Sequence, residues 1–236
     1  WRKEYEMLMV AITSNKRGKM RMTDPLEGRR VFVPVGERTV IGLIGGKDPA
    51  ENNRVIGIVA QAAYNLKAVL AFGQHPGEKA ERKDGMSDDD FAKEQARFEE
   101  FFAARRLAAR DVPTADMTDW KGSEIAAAAD VMIYASGTNI SIAGAFARRP
   151  AVYLDDEGVR ARLAKQAGGD GSWFVAELGG AFKAKSGEDL LPCIKTALSD
   201  PGRDELRRLQ EAAFPLPDDW HTEVKIIHIL EGLAKE

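Results

Sequence analysis

Residues 130–156, DVMIYASGTNISIAGAFARRPAVYLDD, constrain the fold of this chain more than any other segment. An apolar run at 130–135 leads into a short polar turn with one glycine (136–139), a helical pattern (140–148) and a second apolar run (151–154). Short apolar runs without polar alternation predict strands buried on both faces, and strands separated by helices in this way belong to parallel α/β sheets. A turn that leaves such a strand and opens a helix brings small polar side chains and unpaired backbone N–H groups to a helix N-terminus. That is a natural seat for a phosphate or a sugar hydroxyl.

The pattern repeats on either side. Residues 39–44 (TVIGLI) end in Gly45-Gly46-Lys47-Asp48-Pro49, and a helical stretch then runs from near Asn52 to Tyr64. Residues 67–72 (KAVLAF) form the next apolar run, ended by GQHPGEK. Downstream, helices are predicted at 158–167, 187–198 and 204–213, with an amphipathic one at 223–234 after the prolines of PLPDD. The alternation predicts a doubly wound, mainly parallel Rossmann-like α/β sheet with helices on both faces, followed by C-terminal helices.

Other segments are read from weaker signals. Residues 6–13 (EMLMVAIT) predict a strand, and 31–35 a short extended piece. Residues 79–90 are strongly charged and predict a mobile loop. A helix over 91–106 places Phe91, Phe98, Phe101 and Phe102 on one apolar face. A strand near 108–112, a polar stretch at 113–121 and an Ala-rich helix at 122–129, capped by Ser123 or a neighbour, complete the pass. Lys16, Arg17, Lys19 and Arg21 read as a solvated basic turn, with phosphate binding as the alternative.

Composition excludes several classes. With 34 basic against 37 acidic residues and a net charge of −3, no global field favours nucleic acid. No apolar stretch approaches the ~18 residues of a transmembrane helix. No basic region followed by an apolar one opens the chain, so no secretion signal is expected. One cysteine, Cys193, and three scattered histidines offer neither an internal disulfide nor zinc-ligand spacing, which fits a cytoplasmic protein without a metal.

Two turns carry the chemistry: Gly45, Gly46 and Lys47, and Ser136, Gly137, Thr138 and Asn139. Glycine lets a backbone approach a phosphate closely, and the hydroxyl and amide groups of the second turn add donors. The same glycines also suit a purely structural connection. Neither turn is a Walker A loop, and neither matches GxGxxG. His75 is the acid–base candidate by type, with an exposed loop histidine as the alternative. Trp120 is placed to stack on a base or to anchor its loop. No G-x-S-x-G motif or Cys/His pair points to a hydrolase.

At the level of whole segments, EIAAAADVMIYASGTNISIAGAFARRPAVYLDD resembles the nucleotide-sugar half of GT-B glycosyltransferases, a half-domain also found in UDP-N-acetylglucosamine 2-epimerases. VIGLIGGKDPAENN is similar to the first strand and glycine loop of that half. FVAELGGAFKAKSGEDLLPCIKTALSDPGRDELRR is similar to its closing segment. The resemblance spans roughly residues 39–233. It implies a UDP-sugar substrate and no cofactor, with Gly45, Gly46 and Lys47 beneath the phosphates. Ser136, Gly137, Thr138 and Asn139 would contact the diphosphate or sugar. Gly73 and Gln74 would lie near the base or ribose, and Thr118 and Asp119 where the base is held. Many members carry a Glu in the helix after the SGT turn, where it binds the ribose hydroxyls; this chain has Ile142 there, flanked by Ser141 and Ala143. Asp155 and Asp156 are the nearby carboxylates, with helix capping as their alternative role.

The resemblance further implies that the acceptor site belongs to an N-terminal half. Residues 1–38 are too few to form one, so they are expected to be an N-terminal segment or the remnant of a preceding domain, with 39–236 as the nucleotide-sugar domain. The leading expectation is donor binding for a GT-B glycosyltransferase. An NDP-sugar 2-epimerase relative and a non-catalytic Rossmann-like module remain open.

Overall fold

The computed structural model describes residues 2–14, 16–24, 31–46, 48–73, 80–82, 84–117 and 120–216. Among these residues eight strands form one sheet: β1 (Arg21–Asp24), β2 (Val31–Pro34), β3 (Val40–Ile44), β4 (Val69–Phe72), β5 (Thr114–Asp116), β6 (Val131–Tyr134), β7 (Ala151–Leu154) and β8 (Phe182–Ala184). Their order is β2-β1-β5-β4-β3-β6-β7-β8. From β5 to β8 every pairing is parallel. β1 and β2 join the β5 edge antiparallel.

The six parallel strands have the order of a Rossmann-like sheet: the chain starts in the middle at β3, works outward through β4 and β5, then returns to β6 on the other side of β3. All four residues of β6 and of β7 are buried, as are Val40, Ile41 and Leu43. Gly42 allows close packing in the middle of β3, since a Cβ there would stand 2.4 Å from Met132 Sδ.

The helices are α1 (Arg2–Thr13), α2 (Pro49–Leu66), α3 (Asp88–Ala108), α4 (Gly122–Ala128), α5 (Asn139–Phe146), α6 (Glu157–Ala167), α7 (Phe174–Glu177), α8 (Gly187–Leu198) and α9 (Asp200–Ala213). α1 packs on α4 and α5; α2 packs on α3 and α8. The expected helix at 223–234 lies outside the described residues.

Three expectations need correction. Residues 6–13 belong to helix α1, not to a strand. Leu8 and Ala11 are buried and Tyr5 and Ile12 pack beside them, while Val10 is 67% exposed. The run is apolar from Met7 to Ile12, but only a helical stripe of it meets the core, and a short apolar run does not reveal its period. The strand placed near 108–112 forms instead at Thr114–Asp116, within the stretch read as polar. Ala109 and Val112 are buried from the turn between α3 and β5, so their apolar character reports packing and not extension. Helix α3 starts at Asp88, inside the expected loop, because Ser87 accepts from the Asp90 N–H and caps it.

The phenylalanines of α3 are half-buried. Phe98 and Phe102 stack at 6.5 Å, and the one buried residue of this helix is Arg105. The N-cap of α4 is Lys121, whose N–H donates to Glu124; the buried Ser123 Oγ makes no bond among the described residues.

Candidate functional site

The carboxyl ends of β3 and β6 lie side by side, with Ile44 opposite Tyr134, where the strand order reverses. In open α/β sheets this crevice is where ligands bind. Two turns leave it in parallel, Gly45-Gly46 toward α2 and Ser136-Gly137-Thr138 toward α5. The Ser136 Oγ ties them together by donating to the Gly45 carbonyl at 3.1 Å.

A cavity of about 730 Å³ opens over this junction. Gly45 and Gly46 line it from one side, Ser136, Gly137, Thr138 and Asn139 from the other, and Gly73 from the end of β4. Trp120 also lines it, half-buried. Eight of the residues singled out in the sequence therefore share one cavity. Lys47, Gln74, His75, Thr118 and Asp119 lie outside the described residues.

The two helix starts differ chemically. At α2 the carboxylate of Asp48 accepts from the N–H groups of Ala50 (3.0 Å) and Glu51 (3.3 Å), so the first turn already holds a negative charge. Asn52 fills the turn itself: its Oδ1 accepts from Gly46 N–H at 2.9 Å and its Nδ2 donates to Gly46 O at 2.7 Å. A Cβ on Gly45 would stand 2.3 Å from the same Oδ1, so glycine is what lets Asn52 close the loop.

At α5 the cap is a neutral hydroxyl: Thr138 Oγ1 accepts from Ile140 N–H at 3.3 Å. The N–H groups of Gly137, Thr138 and Asn139 engage no acceptor among the described residues. Behind the turn, Trp173 Nε1 donates to Ser141 Oγ (2.9 Å), which donates to Thr138 O (2.6 Å). The indole packs so close to Gly137 that a Cβ there would meet its ring at 2.8 Å. Unpaired N–H groups at the positive end of a helix dipole, held in place from behind, suit an anionic oxygen.

The acidic neighbours are occupied. Asp156 caps α6, accepting from Val159 N–H, and forms a two-bond pair with Arg54, which also holds Glu51. Burial opposes its ionisation, but the hydrogen bonds from Arg54 and Val159 outweigh that and hold its carboxyl below the usual range. Arg54 is correspondingly pushed up by its bonds to Glu51 and Asp156. Asp155 is buried and paired with Arg160 at 2.5 Å. Ile142 is not among the residues that line the cavity; with Phe146, Trp173 and Ala213 it packs against the small apolar cluster of Ala145, Val175 and Phe214. Arg17 of the basic turn is likewise structural, bonded to Asp130 at 2.6 Å and to two backbone carbonyls.

Sequence reasoning missed Asn52, Arg105, Arg162 and Trp173. Asn52 and Arg162 did leave a signal. Asn52 heads the stripe continued by Val55, Ile56 and Val59, and Arg162 lies between Val159 and Leu163 on the buried face of α6. A polar residue on an apolar stripe is the informative exception. Arg105 lines the cavity and donates to Asn53 Oδ1, with its guanidinium over the Phe102 ring at 5.2 Å. Among the described residues no cluster of His, Cys, Asp or Glu could hold a metal, and no helix is long and apolar enough to cross a membrane.

No protein-family model matches the sequence, and no curated protein does. Among solved structures, spinosyn forosaminyltransferase SpnP is similar at a TM-score of 0.43 and 16% identity, over 85% of this chain and 44% of that one. The chain thus spans less than half the length of that protein.

Proposed function

We propose that this chain binds the nucleotide diphosphate of a UDP-sugar, as the donor half of a GT-B-type glycosyltransferase. One observation carries the reading. Two strand-to-helix turns meet at the reversal of strand order, over a cavity whose size suits a nucleotide, and one of them presents unpaired N–H groups. The diphosphate would sit on the turn from Ser136 to Asn139, with Gly45 and Gly46 as the facing wall. Half-buried Trp120 and the end of β4 at Gly73 leave room for the base. Positive dipoles at the phosphates stabilise the charge that develops on the leaving nucleotide when a sugar is transferred. The reading assigns donor binding to this chain and leaves the acceptor and the general base to another domain.

UDP at millimolar concentration is expected to raise the melting temperature, with a smaller rise for uridine. Gly137→Val, which drives a side chain into the Trp173 ring, is expected to abolish the shift. Absence of stabilisation by UDP, UDP-sugars or other nucleotides would overturn the proposal. A second reading, a Rossmann-like module that has lost donor binding, is favoured by Ile142, which supplies an apolar contact where a ribose-binding carboxylate is expected. The same titration separates the two.

A further inference from the structure

Two arginines are drawn into the interior, and they are treated differently. Arg149 donates to the carbonyls of Ala126 (3.2 Å), Ala127 (3.3 Å) and Ala129 (2.5 Å), closing the C-terminal end of α4. Its guanidinium has a full structural role. Arg162 of α6 is 9% exposed, yet only its Nη2 is engaged, donating to the carbonyl of Ala135 just before the second turn. Its Nε and Nη1 have no acceptor among the described residues.

The position of Nη1 is informative. It stands 2.9 Å from the point a Cβ on Gly46 would occupy, and Ser136 Cβ stands 3.4 Å from that same point. The guanidinium therefore lies at the junction of the two turns that line the cavity, and the lack of a side chain at residue 46 lets it reach there. The acids whose fields it feels are already engaged: Glu51 by Arg54, and Asp48 by the first turn of α2; the Tyr153 hydroxyl is buried without a partner. Arg54 adds a like charge. Burial pushes the Arg162 guanidinium below its ordinary value. A buried cation with two idle donors is destabilising by itself, and such groups concentrate at functional sites.

We propose that Arg162, set behind the cavity wall at Gly46 and Ser136 and not in its lining, is the buried cation whose charge draws a phosphate group to the N–H groups of Gly137, Thr138 and Asn139. Naming that phosphate as part of a nucleotide diphosphate rests on the function proposed above; the anion site itself does not. A cation one layer behind the wall acts on a phosphate through its charge, which is felt strongly where water is excluded.

The test is calorimetric titration of the full chain with UDP, uridine and inorganic pyrophosphate, for the wild type, Arg162→Met and Arg162→Lys. Arg162→Met is expected to weaken UDP and pyrophosphate by at least about tenfold, leave uridine within about twofold and leave the ligand-free melting temperature unchanged or raised. Arg162→Lys, which retains the charge, is expected to fold and to weaken both anions less. Unweakened pyrophosphate binding in both variants would overturn the assignment, as would equal losses for uridine and pyrophosphate. Wild-type protein that binds uridine as tightly as UDP and ignores pyrophosphate overturns Arg162 and spares the nucleotide. Pyrophosphate binding that depends on Arg162, without nucleotide binding, does the reverse. Failure of the wild type to bind all three overturns both.

Discussion

The two turns at the crossover leave neighbouring strands, point the same way and contain glycine, but they are finished differently. The Gly45-Gly46 turn is closed: Asn52 takes both the N–H and the carbonyl of Gly46, and Asp48 sits on the first turn of α2 as a built-in anion. The Ser136–Asn139 turn is braced from behind by Trp173 and Ser141, and its front N–H groups engage no acceptor among the described residues. Glycine in a strand-to-helix turn thus does not mark a phosphate site by itself. What distinguishes the two is whether the helix start has already been satisfied by the protein's own side chains.

Breaking the closed turn should cost the most stability. Gly45→Ala places a Cβ 2.3 Å from Asn52 Oδ1 and forces that side chain out of the loop. A loss of about 1–3 kcal/mol is expected from overpacking alone, measured by urea denaturation. An unchanged midpoint would show that Asn52 does not hold the turn. Asn52→Ala removes the two bonds without the clash, leaving two polar groups of the turn unpaired; about 1–3 kcal/mol is expected, toward the lower end where water reaches Gly46.

The open turn should be more tolerant in stability and less tolerant in binding. Trp173→Phe keeps a ring against Gly137 and removes only the bond to Ser141, so a loss of about 1 kcal/mol is expected, together with weaker UDP binding. Ser136→Ala severs the bond to the Gly45 carbonyl that ties the turns together, and is expected to cost about 0.5–1.5 kcal/mol.

The smallest effect concerns the clasp of Arg54 with Asp156 and Glu51, which joins the start of α2 to that of α6. The Asp156 carboxyl lies lower in the folded chain than in the unfolded one, where it is about 3.8. Its stabilisation is therefore fully present above that value and is lost as pH falls through the lower, folded one. Asp156→Asn should flatten this part of the acid limb of a stability–pH curve. An identical limb in wild type and variant would remove the clasp from the account.

The parallel sheet was legible because β3, β4, β6 and β7 are apolar runs bounded by polar or glycine-rich turns, a pattern with few alternative folds. Helix α1 was not, because EMLMVAIT is apolar at almost every position and conceals which face is buried. β5 was not, because Thr114–Asp116 owes its extended form to pairing with β4 and β1 and not to its own residues. At the site, the residues on the two turns announced themselves by type and spacing. Of the groups behind them, Asn52 and Arg162 showed only as polar residues on apolar helix stripes, and Trp173 gave no signal because its bond to Ser141 spans 32 residues. The role of Ile142 could be posed from sequence, but its packing on Val175 and Phe214 needed the fold.

The central claim is that the open turn, and not the closed one, receives the anion. Amide chemical shifts of ¹⁵N-labelled protein titrated with UDP test it residue by residue. The account predicts saturable shifts at Gly137, Thr138 and Asn139 with little change at Ala50 and Glu51. Shifts centred on Ala50 and Glu51, or none at millimolar UDP, would contradict it.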